Sequence, residues 1–505
     1  MQFLFRYLLM FRLVFFPMLF LGALLLKAQP KPNKYPAVQD ALISMDNDVD
    51  LQPASWSYYV KNVSDGEVIA AFNSMKLLRP ASALKVMTTA AALSILGPDH
   101  TFSTKLEYDG RIDEIGILKG NLYITGGGDP TLATNRSDIA TPYNVVLQQW
   151  VKSIQQLGIK KIEGRVIGDA GYFPDDMIPT TWIWEDIGNY YGAGVSGLNF
   201  HENRYDLVLS SGKTGSPTNI LKIQPEVPGL QLTNLTTAGA AGSGDQAYIY
   251  GSPFNLSIVV RGTIPPNRSS FVIRGAVPDP ALYAASCLKQ TLEQMGIQVT
   301  EPAATVRQLS ELENYKSQQK YMLHISTSPP IKKIVYWCNK RSVNLFAEAL
   351  LREMGKKQFG TGTIENGIKA VKQFYQNRGI DLNEAILYDG SGLSPSNAIS
   401  AKQLTEILSN YAGAPNFNEF YQSLPVAGDA SDDGFLKSFM NSKSKTAKLS
   451  VKSGYLSNTR AYCGYIKTQS GRLLAFTVMV NNYTCTNTYI KKKIEDLLLP
   501  LMQLK

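Results

Sequence analysis

Histidine is scarce in this chain of 505 residues. The sequence has only His100, His201 and His324, and none of them stands in an H-E-x-x-H pattern or beside a nucleophile signature. A histidine-dependent catalytic triad or a zinc-protease site therefore has no support in the sequence.

Cysteine is also rare, and no two cysteines form a C-x-x-C pair, so the spacing predicts no zinc site. The four are Cys287, Cys338, Cys463 and Cys485. Cys338 precedes a predicted helix and Cys463 lies on a predicted core strand, so we expect buried free thiols at both. If the chain is exported and all four cysteines pair, three connectivities are open.

Long runs of charge of one sign are missing as well. The chain has 50 Lys and Arg residues and 41 Asp and Glu residues, which gives a formal charge of +9 at pH 7. Residues 1–28 contain three basic residues and no acid, so the rest of the chain carries +6. This mild excess, without a basic run, argues against a nucleic-acid partner. A hydrophobic content of 44% is that of a folded globular protein.

One long apolar run is present, and it lies at the N-terminus. Residues 13–26 are apolar apart from an interruption at Pro17, follow two arginines, and lead into a polar stretch that starts at Lys27-Ala28-Gln29. These features predict a signal peptide over residues 1–28 and export to the periplasm or cell envelope. The alternative is an uncleaved anchor that associates the protein with the membrane, because residues 3–26 are nearly long enough to span a bilayer.

The most informative short motif is Ser82-Ala83-Leu84-Lys85, an S-x-x-K pattern directly before the Ala-rich apolar segment 86–93. That segment predicts a buried helix. A serine in the first turn would lie at the positive end of the helix dipole, and Lys85 would lie on the same face and reach the hydroxyl. The alternative is that Ser82 only caps the helix, which is a common role for serine.

Other segments of the chain also match S-x-x-K. Ser210-Ser211-Gly212-Lys213, whose lysine begins a literal K-T-G, consists of small polar residues after a predicted strand and indicates a turn. Ser442-Lys443-Ser444-Lys445 belongs to a Lys/Ser run that is typical of a solvated loop. The sequence context therefore favours Ser82 as a nucleophile.

Lys452-Ser453-Gly454 ends a segment, 448–454, that alternates like a strand, and further strands are predicted at 460–466 and 473–480. An edge strand of this kind can place an ammonium and a hydroxyl beside a substrate carboxylate, and its glycine lets another backbone approach closely. The alternative is an ordinary edge strand whose lysine protects against aggregation.

Ser342-Val343-Asn344 is an S-x-N sequence before a predicted helix at 345–352. Alone it indicates no more than a helix N-cap. Together, S-x-x-K, S-x-N and K-[ST]-G in this order match an acyl-transfer site in which lysine activates a serine and no histidine is needed.

The motifs resemble those of the low-molecular-mass, class C penicillin-binding proteins, the D-alanyl-D-alanine carboxypeptidase/endopeptidase family. Ser82 and Ser342 are 260 residues apart and Ser342 and Lys452 are 110 apart. Members of that family have a large insertion in the first interval. From about residue 40 to the C-terminus, other stretches resemble the family too: GGGDPTL at 126–132, WEDIGNYYGAG at 184–194, NKRS at 339–342, DGSGLS at 389–394 and LPVAG at 424–428.

Two residues depart from the family pattern. Val343 stands where the family commonly has Asp, and Tyr455 stands where it commonly has a small or hydroxylated residue. Neither change removes a catalytic atom, but both are expected to reshape the cleft and its substrate preference.

The resemblance implies an α/β (α+β) fold of the penicillin-binding, serine β-lactamase-like transpeptidase type with a large β-rich insertion. We expect an acyl-transfer domain from residues 29–99 and 328–505. Residues 100–327 are rich in short predicted strands and turns, and we expect them to form the insertion, in two subdomains.

The same resemblance implies roles for the motif residues. Ser82 attacks the carbonyl of a D-Ala-D-Ala bond and Lys85 takes its proton. Ser342 relays a proton to the leaving nitrogen, and Asn344 positions Lys85 and the substrate amide. Lys452 supplies positive charge to the site.

On the substrate-binding side, Ser453 joins Lys452 in holding the terminal carboxylate, and Gly454 allows close approach. The backbone N–H groups of Ser82 and Tyr455 form the oxyanion hole. Asp169 is a weaker candidate for gripping the stem-peptide side chain, with a structural strand end as the alternative.

The expected partners are peptidoglycan peptides as substrates and β-lactams as covalent inhibitors. No metal or other cofactor is called for. Gly126-Gly127-Gly128 indicates a tight turn, because the lysine and following helix of a phosphate loop are missing.

Two other functions fit parts of the sequence. A serine β-lactamase shares the three motifs, although it would usually be much shorter. A non-catalytic wall-binding protein could keep the fold, although the intact Ser82, Lys85 and Lys452 argue against it. The motifs leave the balance of carboxypeptidase and endopeptidase activity open.

Overall fold

The structure, a computed structural model, describes residues 34–312, 315, 318–440 and 447–504. The predicted signal peptide and the S-x-x-K match at Ser442 lie outside these residues. Within them, no helix is both long enough and apolar enough to cross a membrane.

The strands of the described residues are β1 (Ser55–Asn62), β2 (Val68–Phe72), β3 (Leu77–Leu78), β4 (Ser103–Tyr108), β5 (Arg111–Ile112), β6 (Ile117–Lys119), β7 (Leu122–Thr125), β8 (Lys161–Glu163), β9 (Val166–Asp169), β10 (Arg204–Ser211), β11 (Thr218–Gln224), β12 (Gln231–Asn234), β13 (Thr237–Ala238), β14 (Gln246–Ser252), β15 (Asn255–Ile264), β16 (Arg268–Ala276), β17 (Gln298–Val299), β18 (Ala304–Thr305), β19 (Tyr321–Thr327), β20 (Ile399–Ser400), β21 (Lys448–Leu456), β22 (Thr459–Lys467) and β23 (Leu473–Asn481).

The α-helices of the same residues are α1 (Pro36–Asp46), α2 (Lys85–Ile95), α3 (Tyr143–Gln156), α4 (Trp184–Ile187), α5 (Pro280–Gln294), α6 (Val306–Leu312), α7 (Ile331–Lys340), α8 (Asn344–Phe359), α9 (Ile364–Gln376), α10 (Ala401–Tyr411), α11 (Phe417–Ser423) and α12 (Asn487–Met502).

The central sheet joins the two ends of the chain. Its order is β2-β1-β23-β22-β21, with every neighbouring pair antiparallel, so β21 is an edge strand. Along β23, Leu474, Phe476 and Val478 pack with α1 and α12, whereas Ala475 and Met479 pack with the helices of the other face. Both faces are covered, and this explains why β23 is apolar at nearly every position and why the middle of β22, from Ala461 to Ile466, contains no charged residue.

Helix α2 lies in the core on the face of the central sheet that Ala475 and Met479 contribute to. Every residue from Lys85 to Leu93 is buried, among apolar side chains of α7, α8, α9 and α10. Alanine at 90–92 is explained by this crowding, because small side chains let the surrounding helices approach on all sides. The predicted apolar helix at 86–93 is confirmed.

The sheets of the middle third contain only strands from residues 103–327. One pair of sheets, ordered β18-β9-β7-β4-β19 and β17-β8-β6-β5, packs with α3 and α5. A second pair contains β10, β11 and β16 in one sheet and β12, β13, β14 and β15 in the other. These sheets contribute to a core of their own that includes Trp150, Phe200 and Leu288. The exact domain boundaries at 99/100 and 327/328 stay a prediction.

Several predicted elements have shifted ends. The strand predicted at 460–466 spans Thr459–Lys467, and the strand predicted at 473–480 spans Leu473–Asn481. All four cysteines are free thiols, and Cys338 and Cys463 are buried.

Candidate active site

Ser82 lies in a 3₁₀ turn, Ala81–Leu84, that leads directly into α2 at Lys85. The sequence predicted Ser82 in the first turn of the helix, whereas the structure places it in the 3₁₀ turn directly before α2. The N-cap of the turn is Pro80, and Ser82 does not serve as a cap. Its side chain is half-buried.

Two glycines let other backbone segments approach this turn. A Cβ at Gly454 would clash with the carbonyl oxygen of Pro80, and a Cβ at Gly392 would clash with that of Ala81. Gly392 also has a φ of 79°, which side-chain-bearing residues rarely adopt. The Lys-Ser-Gly strand and the loop at 389–394 are therefore fitted against the two sides of the Ser82 turn.

Lys85 is fully buried, and its ammonium group has three partners. Its Nζ donates to Ser82 Oγ at 3.0 Å, to Asn344 Oδ1 at 2.6 Å and to the Ser391 carbonyl oxygen at 2.7 Å. Burial lowers the pKa of Lys85 to about 8, although Cys338, Asp389 and Glu348 act in the opposite direction. A lysine of this kind loses its proton far more readily than an exposed one, as a general base must.

Asn344 is the first residue of α8 and connects the site to the middle third of the chain. Its Oδ1 accepts from Lys85 while its Nδ2 donates to the Tyr191 carbonyl oxygen at 2.7 Å. These two bonds fix the orientation of the amide, with its oxygen toward the lysine. Tyr191 belongs to the WEDIGNYYGAG stretch, so that segment supports the site from outside the central sheet.

Ser342 adopts a φ of 55°, an uncommon conformation for a residue with a side chain. The N-cap of α8 is Val343, which makes no side-chain cap and packs against the core. Ser342 is thus not the helix cap that its sequence position also allowed. Its Oγ instead accepts from Lys452 Nζ at 2.9 Å. Strained backbone of this kind is common at functional sites.

Lys452 extends from β21 into the same cluster. Besides Ser342, its Nζ donates to the Ser453 carbonyl oxygen at 2.7 Å. Burial, followed by the positive charge of Lys85, lowers the pKa of Lys452 to about 7. The two buried lysines therefore repel each other, and the pair gives up one proton before the other.

The rest of the Lys-Ser-Gly strand lies at the sheet edge. Ser453 is half-buried, and Tyr455 is 53% exposed. The Tyr455 ring lies over the guanidinium of Arg460, its cross-strand partner, at 4.7 Å, and its hydroxyl accepts from Asn487 Nδ2 at 3.3 Å. Tyr455 thus forms part of the open rim next to the site.

Asp169 ends β9, away from the contacts described above. Its carboxylate accepts from Lys320 Nζ at 2.9 Å and from the Gly171 backbone N–H at 3.1 Å. The structure brings Ser82, Lys85, Ser342, Asn344 and Lys452 together, whereas it pairs Asp169 with Lys320. The substrate role of Asp169 stays a prediction, with the strand-end role supported by these bonds.

The sequence-based assignment missed two buried carboxylates next to the site, those of Glu348 and Asp389. Glu348 accepts the backbone N–H groups of Gly390 and Ser391, at 3.0 Å and 2.7 Å to Oε1. Asp389 accepts from Gly392 N, Ser394 N, Asn397 Nδ2 and Trp182 Nε1, at 2.6–2.8 Å. The signal available in the sequence was the polar, glycine-rich DGSGLS stretch, whose glycines allow this close packing.

The second S-x-x-K match has a different setting. Ser210 and Ser211 end β10, Lys213 is in the following turn, and Ser211 Oγ donates to the Pro265 carbonyl oxygen. The turn predicted there is confirmed. Among the described residues, no group of three or more His, Cys, Asp or Glu side chains could hold a metal ion.

Known proteins with sequences similar to this chain include two that are named D-alanyl-D-alanine carboxypeptidases. A D-alanyl-D-alanine carboxypeptidase from an Actinomadura species is 26% identical over 476 residues, covering 93% of this chain and 85% of that protein. The D-alanyl-D-alanine carboxypeptidase DacB of Haemophilus influenzae is 26% identical over 447 residues, covering 86% of this chain and 87% of that protein.

Solved structures show the same fold. The crystal structure of penicillin binding protein 4 from Haemophilus influenzae superposes with a TM-score of 0.77 at 24% identity, covering 92% of this chain and 99% of that one. A complex of that protein with a β-lactam gives a TM-score of 0.72. The predicted penicillin-binding fold with a large β-rich insertion is confirmed.

The family assignment depends on a match over nearly the whole folded chain. The model of the D-Ala-D-Ala carboxypeptidase 3 (S13) family aligns with residues 38–501. That span includes all three motifs and the long interval between the first two. The chain belongs to the D-Ala-D-Ala carboxypeptidase 3 (S13) family.

Proposed function

We propose that the chain hydrolyses the D-Ala-D-Ala bond of peptidoglycan stem peptides through an acyl-enzyme at Ser82. The observation that carries this proposal is the bond from the buried Lys85 Nζ to Ser82 Oγ. It pairs a serine nucleophile with an amine of lowered pKa that can take its proton. The enzyme class, a serine-type D-Ala-D-Ala carboxypeptidase, is that of the family.

In the acylation step, neutral Lys85 accepts the Ser82 hydroxyl proton as Oγ attacks the carbonyl of the penultimate D-Ala. A C–O bond forms and the C–N bond to the terminal D-Ala breaks. The leaving nitrogen receives a proton through Ser342, whose hydroxyl lies at 2.9 Å from Lys452 Nζ. The products are an acyl-Ser82 ester and free D-Ala.

Substrate binding decides which of the two lysines is charged. A terminal carboxylate held by Lys452 and Ser453 favours the ammonium form of Lys452. Mutual repulsion of the lysines then favours the neutral form of Lys85, where the base is needed. The substrate would thus place the charges correctly as it binds.

The oxyanion would be stabilised by the backbone N–H groups of Ser82 and Tyr455. These belong to the 3₁₀ turn and to the edge strand β21, which Gly454 allows to pack against each other. One such donor contributes about 3 kcal/mol to transition-state stabilisation in acyl transfer. In deacylation, Lys85 would take a proton from water as its oxygen attacks the ester, and Ser82 leaves with a proton restored.

The substrate class follows from what the relatives are named for, D-alanyl-D-alanine carboxypeptidases. β-Lactams carry a carboxylate and a strained amide in a similar arrangement, and a β-lactam is bound in the Haemophilus influenzae structure. We therefore expect penicillins to acylate Ser82 and to leave slowly.

The decisive experiment supplies a peptide ending in D-Ala-D-Ala and measures released D-Ala. A peptide ending in D-Ala-L-Ala is the control and should release little alanine. Slow penicillin turnover is expected in parallel. Fast penicillin hydrolysis without D-Ala release would instead identify a β-lactamase. If the protein neither releases D-Ala nor reacts with penicillin, a non-catalytic wall-binding protein would be favoured.

Acylation should depend on pH through Lys85. Below its lowered pKa, about 8, Lys85 is protonated and cannot accept the serine proton. The rate constant for acylation by penicillin should therefore rise with pH up to this range, by about tenfold per unit on the acid side when one proton controls the step. Stopped-flow or gel-based labelling between pH 6 and pH 9 checks this. A flat profile would contradict the assignment of Lys85 as base.

We also propose that the protein is exported and that residues 1–28 are removed. Two relatives are D-alanyl-D-alanine carboxypeptidases by name, and the peptidoglycan stem peptides proposed as substrates lie outside the cytoplasm. Mass spectrometry of the mature protein should find an N-terminus at or near Gln29. Recovery of the intact N-terminal segment would favour a membrane anchor.

For the middle third, we propose a supporting and substrate-binding role as an insertion over residues 100–327. Its contacts with the site are the Tyr191 carbonyl oxygen on Asn344 and the Trp182 indole on Asp389. These bonds support a role for the insertion in holding Asn344 and Asp389 in place, in addition to a role in substrate binding.

A further inference from the structure

A fully buried carboxylate lies beneath the general base and has no part in the proposed mechanism. Glu348 is on α8, one turn after Asn344, so the two side chains share a face of the helix. Asn344 contacts Lys85 directly at 2.6 Å. Glu348 contacts the loop whose Ser391 carbonyl oxygen is the third partner of Lys85.

The Ser391 residue is held from both sides. Its N–H donates to Glu348 Oε1 at 2.7 Å, and its carbonyl accepts from Lys85 Nζ at 2.7 Å. The preceding N–H, of Gly390, donates to the same oxygen at 3.0 Å, and the Gly390 carbonyl accepts from Thr88 Oγ1 at 2.7 Å. A shift of this short segment would therefore move one partner of the base.

We infer that Glu348 is a positioning residue for the acyl-transfer reaction, one that holds the Gly390-Ser391 segment and through it fixes Lys85 against Ser82. This inference rests on the proposed function. In this role Glu348 does not contact the substrate. Glu348 acts on Lys85 in two ways, by holding the Ser391 carbonyl in place and by its charge.

The charge of Glu348 has a predictable direction of effect on Lys85. The groups that face it are Asp389 from the loop, Lys85 from α2 and Cys338 from α7. Burial and the nearby Asp389 raise the pKa of Glu348 to about 7. When ionised, Glu348 raises the pKa of Lys85, so its removal should lower that pKa further.

Two substitutions separate position from charge. In Glu348→Gln, the amide oxygen at the place of Oε1 can still accept from both Gly390 and Ser391. Only the longer bond from the Gly390 N–H to Oε2, at 3.2 Å, is lost. The position is kept and the charge is lost. In Glu348→Ala both N–H groups lose their acceptor in a buried site, where an unpaired donor is costly.

The experiment measures acylation by a fluorescent penicillin as a function of pH in the full chain. Glu348→Gln should move the acid limb of the profile to lower pH and leave the plateau rate near that of the wild type. Glu348→Ala should lower the plateau rate constant by about 10- to 100-fold, the scale on which small misplacements act, with little change in the concentration that half-saturates the rate. Thermal unfolding confirms that each variant is folded.

Glu353→Gln is the matched control. Glu353 is a second buried carboxylate on α8, but it pairs with Tyr172 and His100 and does not contact the 389–392 loop. Its profile should keep the wild-type midpoint. The inference is overturned if folded Glu348→Ala acylates at the wild-type rate, or if Glu348→Gln and Glu353→Gln have the same midpoint. If the wild type itself is not acylated, the proposed function fails instead.

Discussion

Ser82→Ala is expected to abolish covalent labelling by penicillin and to lower D-Ala release by on the order of 10³-fold or more, the scale seen when a catalytic nucleophile is removed. Alanine has no oxygen to form the acyl bond. The fold should survive, because the Ser82 side chain is half-buried and does not cap the helix. Intact-protein mass spectrometry after incubation with penicillin gives the direct measurement.

Ser210→Ala is the control for this variant, because Ser210 begins an S-x-x-K sequence whose lysine, Lys213, also begins a literal K-T-G. That serine ends strand β10 and contacts none of the site residues described above. Its labelling should equal that of the wild type, with the adduct on the peptide that contains Ser82. An adduct on Ser210, or a fully labelled Ser82→Ala protein, would refute the nucleophile assignment.

The sequence placed its three motifs at or next to regular elements, and the structure has α2 directly after the turn that contains Ser82, α8 directly after Val343 and β21 through Lys452. An Ala-rich segment predicted α2, the alternating segment 448–454 predicted β21, and apolar segments predicted β22 and β23, so the motif residues could be placed near a helix start and on an edge strand. The family, the fold class and the enzyme class are confirmed by the family match and the superposed structures.

The parts that sequence did not predict depend on contacts between distant segments. Ser391 enters the site through a backbone carbonyl, which no side-chain motif reports. Tyr191 does the same for Asn344, across about 150 residues of chain. In the sequence Glu348 is a charged residue within a predicted helix, and only the folded structure shows that it is buried against Gly390 and Ser391.

Predicting electrostatics was limited in a similar way. The family resemblance implied that Lys452 supplies positive charge to the site, without deciding between that charge and burial as the cause of a lowered Lys85 pKa. The structure gives burial as the leading cause at Lys85, and it is at Lys452 that the charge of the other lysine contributes next after burial. Burial of two lysines in one cluster requires the packed core, which is a property of the whole fold.

Lys85→Arg is expected to reduce acylation by about 10²- to 10⁴-fold although positive charge is kept. This is the usual contribution of a general base. Arginine stays protonated in proteins and cannot take the Ser82 proton. Its larger guanidinium must also fit where Lys85 Nζ now meets Ser82, Asn344 and Ser391 at 2.6–3.0 Å.

Two further variants test whether the loss of the proton acceptor at position 85 is the cause: Lys85→Met as a second variant without a base, and Lys213→Arg as a control. Lys85→Met removes the base and the charge while keeping a flexible side chain, and it should be inactive as well, because both substitutions lack a proton acceptor. Lys213→Arg changes the lysine of the second S-x-x-K sequence and should acylate at the wild-type rate. Raising the pH should not restore the activity of either Lys85 variant, because neither Arg nor Met at position 85 becomes a neutral amine at higher pH. The measurement is the second-order rate constant for acylation by a fluorescent penicillin. Near-normal acylation by Lys85→Arg would show that another group removes the serine proton. Lys452, which already contacts Ser342, would then be the group to test next.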